Sequence, residues 1–557
     1  MKGLNIFTVV SSLLLAVVVT PDASAQSTHH VDIKKAYKPE VAKATKLVAP
    51  TDINASSTID VEIEYDIRPD TWRTVLNAHD YKPVKATYWD YNRSTPLYVK
   101  VDAGYPLSSD AEVRYIMQSS KVGYFGVGLT HSGDYAARYS AEGIKRSVAQ
   151  SFSMNNGVDL LGAVIFDKRI LEASASYNYD IFNRYAVAGD PQRLNFHDAN
   201  IGVRFGDSFS NLKRLNFSVE AHGGYWYHRL PSAIDDFSNY GEANVGASAT
   251  LARLFVKKNR VEVKAVYDMW MGGDVYRDTR FGLNVGYARK FGFVDVEAGV
   301  GYIFDKVSGR SKASHFITPF AKVLFDLKLD AFTPYIELDT KVGQNGVSSL
   351  YKRNPYIDFG YMYEGFANMA NDRSYDVTIG FTGNVNTRFA YRAYFGANFI
   401  RDYLFFYVNH NGNFCADTAD NTRLVYGAEL EYMPIGGLRL GGSISGVIDS
   451  MNSLYWSNAP AYEANLFVEY TLRRWKFGIS SDFVGKRMWS RVDEQGSILS
   501  PIEHKSFIDL SVNASFKVNN SIEVFVQGIN LLNAKIYDYA NYYRSGIGFK
   551  AGVKIDF

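Results

Sequence analysis

Apolar and polar residues alternate along most of the chain after residue 96. In the last eleven residues, the apolar positions are Ile547, Phe549, Ala551, Val553, Ile555 and Phe557. Glycine and charged residues lie between them. A period of two places successive side chains on opposite faces of a β-strand, so one face is apolar and the other is polar. The pattern predicts a strand that ends at the last residue of the chain.

The same alternation recurs in long segments elsewhere, including residues 259–270, 293–304, 461–470 and 521–528. A soluble β-sandwich also alternates. However, many of these runs reach ten residues or more, which is long for globular strands and suits a strand that crosses a bilayer at a tilt. Aromatic residues such as Tyr302, Phe304, Tyr462 and Tyr470 end the apolar faces, as the interfacial girdles of membrane barrels require.

The connections between these runs alternate in length. Short turns are predicted at residues 119–120, 167–168, 207–211, 257–259, 289–292, 326–330, 384–386, 434–437, 472–474 and 518–520. Longer links separate them, apart from one short link at residues 106–111. Short periplasmic turns and long extracellular loops are typical of outer-membrane barrels. From Leu97 onward the count is even and lies between about 16 and 22 strands, with about 22 preferred.

Strand closure explains why the chain ends on an alternating segment. In hydrocarbon, every backbone N–H and C=O group needs a partner within the protein, and only a closed sheet provides one for each strand. The last strand must therefore pair with the first. The sequence predicts an all-β protein in which residues 97–557 form a transmembrane antiparallel β-barrel, with an aromatic C-terminal strand of the kind that the barrel assembly machinery recognises.

Composition narrows the function. The chain has 60 Lys and Arg against 58 Asp and Glu, which argues against a nucleic-acid partner. Its 40 Tyr and 36 Phe suit strands and membrane interfaces. Cys415 is the single cysteine, so no disulfide can form within the chain.

The first 25 residues predict a secretory signal peptide. Lys2 precedes an apolar run from Leu4 to Thr20, and Ala23 and Ala25 form a small-residue site with cleavage before Gln26. No later apolar run approaches the length of a spanning helix. We expect export to the outer membrane of a Gram-negative bacterium, in contact with its lipid, and we expect residues 26–96 to form a periplasmic extension or a plug remnant.

The C-terminal segment resembles the end of TonB-dependent receptors. The stretch VFVQGINLLNAKIYDYA, followed by SGIGFKAGVKIDF, resembles their asparagine-flanked motif, tyrosine-rich loop and closing aromatic strand, although Leu532 stands where an aromatic residue is usual. Residues 349–358 and 401–409 resemble segments of receptor-like barrels of the Bacteroidota type. The resemblance implies a 22-stranded barrel.

Residues 26–96 depart from that family. TonB-dependent receptors fill the barrel with an N-terminal plug, and this segment is too short for one and contains no coupling box that we recognise. The alternating stretch IDVEIEYDI is either a strand of a plug remnant or part of a solvated periplasmic tail. The segment could also bind a periplasmic or outer-membrane protein partner.

Three patterns in the sequence contain residue types that support catalysis or metal binding: a Gly-Asp-Ser stretch, scattered histidines and a polar stretch with two aspartates. Gly206-Asp207-Ser208 resembles the start of one esterase family, but no Asp lies three residues before any of the ten histidines, and the stretch falls in a predicted turn. A phospholipase on the lipid face would need a serine, a histidine and a polar orienting group on neighbouring strands. The candidate histidines are scattered singly, and most lie near predicted loops: His131, His197, His222, His228, His315 and His410.

Asp417 and Asp420 are hard oxygen ligands in a stretch predicted as a polar loop, but they lack the spacing of a calcium loop. Cys415 lies in the same stretch, where an exposed thiol would be reactive. We expect no catalytic residues, no cofactor and no metal site.

The polar faces of the predicted strands mix both charges, which suits a hydrated barrel interior and indicates no ion selectivity. The residues predicted to face the lumen are Glu262, Lys264, Asp295, Glu297, Glu463, Glu469, Lys550 and Lys554.

The leading hypothesis from the sequence is a receptor-like barrel without a plug that acts as a channel or transport component. Its wide lumen must be blocked by residues 26–96, by infolded loops such as 342–373, or by a partner protein. The alternative is a non-transporting subunit of an outer-membrane complex that assembles membrane proteins or anchors surface lipoproteins. A third hypothesis is a TonB-dependent nutrient receptor. An enzyme is not expected.

Overall fold

The computed structural model describes residues 96–557 except for residues 120–121, 141–142, 167–168, 188–190, 208, 210–212, 230–238, 256–258, 274–275, 330, 359–368, 386–387 and 450–457. The predicted signal peptide, its cleavage site and nearly all of the 26–96 segment lie outside the described residues, so their roles stay predictions. Within the described part of the chain, no helix is long and apolar enough to cross a membrane.

In the part of the chain that the structure describes, two short helices, α1 (Val148–Ser151) and α2 (Val347–Arg353), interrupt a series of strands. The strands are β1 Leu97–Tyr105, β2 Ser108–Ser119, β3 Gly123–Asp134, β4 Ser153–Phe166, β5 Arg169–Asn183, β6 Arg193–Asp207, β7 Asn216–Arg229, β8 Asn239–Phe255, β9 Asn259–Gly272, β10 Tyr276–Phe291, β11 Val294–Val307, β12 Ser314–Phe325, β13 Thr333–Val342, β14 Arg373–Val385, β15 Phe389–Val408, β16 Phe414–Tyr432, β17 Leu438–Asp449, β18 Tyr462–Leu472, β19 Trp475–Val484, β20 Arg487–Val492, β21 Ile498–His504, β22 Phe507–Lys517, β23 Ile522–Ile529, β24 Tyr537–Tyr539, β25 Tyr542–Tyr543 and β26 Gly548–Asp556.

The wall of the barrel contains 22 antiparallel strands. One sheet joins 24 strands, but β20 and β21 form a hairpin within the link between β19 and β22, and β19 pairs directly with β22. The hairpin attaches to the end of β15, where Tyr407 lies opposite Ser490. Removing these two strands from the 24 leaves 22, which confirms the predicted fold class.

The first and last strands close the cylinder. β1 pairs with β26, with Val99 opposite Ile555 and Val101 opposite Val553. At the rim, the N–H of Leu97 donates to the Phe557 carbonyl at 3.0 Å, and the N–H of Phe557 donates back to the Leu97 carbonyl at 2.8 Å. The prediction that the last strand pairs with the first is confirmed, and no edge strand is left exposed to lipid.

Short and long connections lie on opposite ends of the barrel, as predicted. Residues 292–293 and 473–474 are tight turns on the same end as both barrel termini, whereas residues 343–372 and 485–506 form long links on the other end. By the rule for outer-membrane barrels, the long links are extracellular. One predicted loop was wrong: β16 begins at Phe414, so only residues 409–413 connect it to β15. The polar composition of residues 415–421 had indicated a loop, but β15 and β16 pair along this whole stretch.

The outer face of the wall is apolar. Large side chains exposed on it include Ile201, Ile317, Ile379 and Ile448. Such a continuous apolar exterior is unfavourable in water and matches the lipid-facing band of a membrane barrel.

Aromatic residues mark both borders of this band. Near the short turns, Trp475 stacks on Phe477 with ring centroids 5.8 Å apart and lies 4.7 Å from Phe516. Near the long loops, the Tyr177 hydroxyl is hydrogen-bonded to His197 Nδ1 at 2.8 Å. Rings with one apolar and one polar edge suit the membrane interface, so these borders give the depth of the barrel in the bilayer.

The C-terminal strand shows the two-residue period in its exposure. Phe549, Ala551, Val553 and Phe557 are exposed on the outer face, and Lys550 lies on the opposite face. Recognition of this strand by the assembly machinery stays a prediction.

Adjacent residues in the middle of β18 offer a test of which face meets lipid. Leu466 is exposed on the outer face, whereas the Asn465 amide donates to Asp482 Oδ1 inside the barrel at 2.6 Å. We expect Leu466→Arg to lower the free energy of unfolding in lipid by about 2–4 kcal/mol, because the guanidinium must enter hydrocarbon. Asn465→Arg at the same depth should change it by less than about 1 kcal/mol. Denaturant titration of the barrel in lipid vesicles measures both, and equal losses would contradict the assignment.

Candidate functional site

The link between β13 and β14 folds into the extracellular mouth of the barrel. Its helix α2 follows Gly346 and presents Val347, Leu350 and Tyr351 on one side, at the spacing of a single helical face. All three side chains are buried. The infolded loop expected for residues 342–373 is therefore present, and apolar burial holds its helix in place.

A buried carboxylate on β8 anchors the start of this helix. The N–H of Val347 donates to Glu242 Oε2 at 2.9 Å, and the Ser348 hydroxyl donates to Glu242 Oε1. Backbone N–H groups in a first helical turn lack partners within the helix, so an acceptor from the wall stabilises this end.

A second polar cluster fixes both ends of the link. The Asn371 amide donates to Asp278 Oδ2 at 2.8 Å and to Asp305 Oδ2 at 2.9 Å, on β10 and β11. Arg280 donates to the Gly343 carbonyl at 2.6 Å and pairs with Asp305 at 3.4 Å. Together with Glu242, these contacts bind the link to wall strands β8, β10 and β11.

Aromatic side chains then cross the mouth from one side of the barrel to the other. Trp226 on β7 stacks on Tyr351 with centroids 5.4 Å apart. Tyr356 stacks on Tyr542 of the last extracellular link at 3.7 Å, and Tyr542 lies 6.0 Å from Phe414 at the start of β16. We call this cluster the aromatic lid; it comprises Tyr185, Phe196, Trp226, Tyr351, Tyr356, Phe414, Trp489 and Tyr542.

The lid joins opposite walls, because β6 and β16 lie ten strands apart in a cylinder of 22. All eight side chains are less than a tenth exposed. Aromatic pairs add about 0.5–1.5 kcal/mol each beyond the burial of their area, so a cluster of this size makes a stable closure.

Tyr185 connects the lid to the last extracellular link by a reciprocal pair of hydrogen bonds. Its hydroxyl donates to the Tyr543 carbonyl at 3.0 Å and accepts from the Tyr543 N–H at 2.9 Å. Burial raises the pKa of Tyr185 to about 12. The hydroxyl therefore stays protonated at physiological pH and can make both bonds at once.

A cavity of about 740 Å³ adjoins the lid. Aromatic residues of the lid form part of its lining, together with Phe182, Tyr539 and Tyr543. Cavities that hold small molecules generally measure about 300–1,000 Å³ and combine apolar walls with a few polar groups. This cavity is the candidate ligand-binding site.

Six of the seven charged side chains that line the cavity form ion pairs, and the seventh, Asp180, accepts a hydrogen bond from the Asn155 amide. Arg138 binds Asp134 at 2.6 Å and Lys352 binds Asp198 at 2.7 Å. Arg544 and Asp538 form a third pair at 2.8 Å. A ligand with a strong negative charge would have to displace a carboxylate, so this lining favours a polar ligand of low net charge.

The eight residues predicted to face the lumen lie on wall strands, and none of them is part of the cavity lining that the structure describes. Six of them form ion pairs, most of which join two strands. Arg260 lies 2.9 Å from Glu262 and 3.6 Å from Glu297. The other pairs are Glu463 with Arg487 at 3.1 Å, Glu469 with Arg439 at 3.3 Å and with Lys476 at 3.5 Å, Lys550 with Asp110, and Lys554 with Glu523 at 3.2 Å. Lys264 and Asp295 lie on β9 and β11, and neither is part of the described lining of the cavity.

Several residues singled out in the sequence lie elsewhere than expected. Cys415 is buried beside Phe414 and is not an exposed thiol. His228 is fully buried in β7, where its Nδ1 contacts the Asn195 carbonyl oxygen at 2.8 Å. Five of the six candidate histidines lie within strands rather than in loops; these are His131, His197, His222, His228 and His315. Among the described residues, no group of three His, Cys, Asp or Glu side chains is placed to hold a metal ion.

No family model matches the chain, and no curated protein matches it. Solved structures with the same fold include the FrpB iron transporter from Neisseria meningitidis, with a TM-score of 0.67 and 12% identity over 84% of this chain and 82% of that one. The copper transporter OprC matches with a TM-score of 0.64 and 13% identity, over 83% and 80% of the two chains.

A variant of the ferric enterobactin receptor PfeA from Pseudomonas aeruginosa matches with a TM-score of 0.62 and 9% identity, over 83% and 80% of the chains. At these identities the similarity shows the fold alone. The chain shares the fold of a 22-stranded barrel with these three proteins.

Glu242 provides a test of how the lid is held. We expect Glu242→Ala to remove two hydrogen bonds and destabilise the closed loop by about 2 kcal/mol, which is an increase of about 30-fold in opening. Hydrogen exchange of the amides in residues 347–354 measures this opening. Glu220→Ala on the neighbouring strand is the control, since Glu220 pairs with Arg204 at 3.4 Å. Unchanged exchange in Glu242→Ala would show that the carboxylate does not anchor the loop.

The β20–β21 hairpin should respond to acid through His504. The His504 ring stacks on Tyr537 at 4.0 Å, and burial, with a smaller contribution from Arg487, lowers its pKa from 6.5 to about 4. The folded state therefore favours the neutral ring. Its contribution to stability is complete above pH 6.5 and is lost as the pH falls toward 4.

We expect exchange of the hairpin amides to accelerate between pH 6.5 and pH 4, after correction for the intrinsic rate. His504→Phe keeps an aromatic ring but cannot titrate, so it should flatten this dependence. If the variant retains the full pH response, the nearby carboxylates and not His504 are responsible.

Proposed function

We propose that this protein is an outer-membrane transport receptor whose extracellular loops close the barrel over a ligand-binding cavity. The observation that carries the proposal is the aromatic lid, which joins opposite walls of a barrel wide enough to need closing. The shared fold with proteins named as metal transporters and siderophore receptors supports a transport role.

The lid argues against a passive channel that is open at rest. A pore that conducts at rest needs a continuous water-filled path, and the buried rings occupy the mouth. A receptor instead needs a closed resting state and a site near the exterior, and the cavity beside the lid supplies such a site.

The ligand class follows from the lining. Aromatic rings provide flat apolar contacts, while the three internal ion pairs and the further carboxylate of Asp180 leave a low, negative net charge. We infer a small polar solute with an apolar or planar face, which binds by stacking and by hydrogen bonds to the paired charges.

Cell location and partners form part of the same proposal. The apolar exterior and aromatic borders support residence in the outer membrane of a Gram-negative bacterium. We propose that the barrel assembly machinery recognises the strand that ends in Phe557. Residues 26–96 would bind the periplasmic partner that opens the lid, as a TonB-type energy source does for related barrels.

Replacing residues 344–371 by a short Gly-Ser linker tests the proposed gate. In planar bilayers the native protein should conduct little, and the shortened protein should show large, stable openings, because α2 and two of the eight lid residues, Tyr351 and Tyr356, are gone. A matched shortening of residues 494–496, at the tip of the β20–β21 hairpin, should leave conductance low. Large conductance of the native protein would indicate a passive pore. No conductance in any form would favour the non-transporting subunit of a membrane complex.

A further inference from the structure

Three polar side chains meet on the outer face of the barrel, outside the cavity and the lid. Ser109 lies on β2, His131 on β3 and Asn156 on β4. Ser109 Oγ is 2.8 Å from His131 Nε2, and His131 Nδ1 is 2.8 Å from Asn156 Oδ1. The imidazole thus bridges a hydroxyl and an amide oxygen through its two different nitrogens.

The strand registers place this group on the lipid-facing side. His131 lies directly opposite Ala111 on one neighbour and Asn156 on the other. Leu129 lies two residues from His131 on the same strand, opposite Val113 on β2 and Val158 on β4. Leu129 and Val158 are exposed to the exterior, and residues two apart on a strand share a face.

The depth of the group is that of the membrane interface. Ser109, His131 and Asn156 lie within four residues of the extracellular ends of their strands. The apolar band begins directly below them. Tyr135 and Phe152 stack just above them, with centroids 6.1 Å apart. Acyl ester groups of membrane lipids occupy this border between hydrocarbon and head groups.

We propose that Ser109, His131 and Asn156 form a serine hydrolase site that cleaves acyl esters of outer-leaflet lipids. The order of contacts is the one that this chemistry requires. One imidazole nitrogen receives the serine proton, and the other donates to an acceptor that fixes the ring and its tautomer. Asn156 is the positioning residue, as an asparagine is in some cysteine hydrolases.

The reaction balances with water as the second substrate. Ser109 Oγ attacks the ester carbonyl carbon and passes its proton to His131 Nε2. The bond from that carbon to the alcohol oxygen breaks, and the leaving alcohol takes the proton from His131. Water, deprotonated by His131, then attacks the acyl-serine, releases a fatty acid and restores the Ser109 hydroxyl.

Tyr135 is placed to assist the developing oxyanion. Gly133 lies opposite Ser109, and the Tyr135 side chain covers it so closely that a β-carbon at position 133 would collide with the ring. Side chains at paired positions lie about 5 Å apart, so this hydroxyl is beside the reacting serine. A hydroxyl there can donate to the negative oxygen of the tetrahedral intermediate.

The test uses the full-length protein in detergent and in vesicles, with folding verified by heat-dependent migration on gels. A fluorophosphonate probe should label Ser109, and phosphatidylethanolamine vesicles should release free fatty acid and lysolipid. A second arm with lipopolysaccharide, also monitored for released fatty acid, distinguishes the two sources of acyl ester. Ser109→Ala should abolish labelling and lower hydrolysis by about a thousand-fold or more.

Matched variants separate chemistry from structure. Ser132→Ala changes the neighbouring strand on the inner face, where Ser132 donates to Asp110 at 2.6 Å, and should leave hydrolysis within about twofold. Asn156→Leu should reduce it by about 100-fold or more, and Asn156→Asp should restore most of it, because a carboxylate also orients the ring. Tyr135→Phe should cost about 100-fold.

Two results would overturn the proposal. One is a folded native protein that neither reacts with the probe nor hydrolyses either lipid, which would make the group a hydrogen-bonded part of the aromatic border. The other is hydrolysis that survives in folded Ser109→Ala.

Discussion

The need of every backbone N–H and C=O group for a partner inside hydrocarbon is the constraint on which this structure depends. It forces β1 onto β26, where the Leu97 and Phe557 backbones exchange hydrogen bonds of 3.0 and 2.8 Å. Because this closing pair is antiparallel, the number of wall strands is even. Once the cylinder is closed, the two-residue period of each strand separates a lipid-facing surface from a hydrated interior.

Closure creates a second requirement, because a cylinder of 22 strands encloses a wide lumen. The protein closes this lumen with buried aromatic rings rather than with charged groups. Ion pairs such as Arg260 with Glu262 line the wall, but they are hydrated by the water of the lumen and do not block it. The apolar face of helix α2 and the tyrosines of the last link can bury one another, so they gain stability only when they meet across the mouth. The resting state of the barrel is therefore set by its loops.

The wall was predictable from the sequence, and the sites were not. Alternation is a local property, so strands, turns and even the closing pair follow from it. The lid depends on contacts such as that between Tyr356 and Tyr542, whose positions in the chain carry no common pattern. The sequence did not predict the group of Ser109, His131 and Asn156 on the outer face, for a different reason. Ser119 pairs with Gly123, whereas a turn at residues 119–120 would pair residue 118 with residue 121, a difference of three residues in register. A register error of an odd number of residues puts paired side chains on opposite faces, so Ser109 and His131 could not be brought together.

The two sites lie on opposite sides of one wall, and adjacent residues show how completely the strand separates them. Ser109 points toward lipid and His131, whereas Asp110 points inward and accepts a hydrogen bond from Ser132. A solute in the lumen therefore cannot reach Ser109, and a lipid cannot reach the cavity beside the lid. Selection on ligand binding would leave the outer face free to change, so three polar side chains directly beside Leu129 and Val158 need a cause of their own. Burying polar groups at an apolar border is unfavourable unless they are paired. The pairing of a serine with a histidine, and of that histidine with an asparagine, meets this need and at the same time arranges a nucleophile with its base at the depth where ester bonds lie.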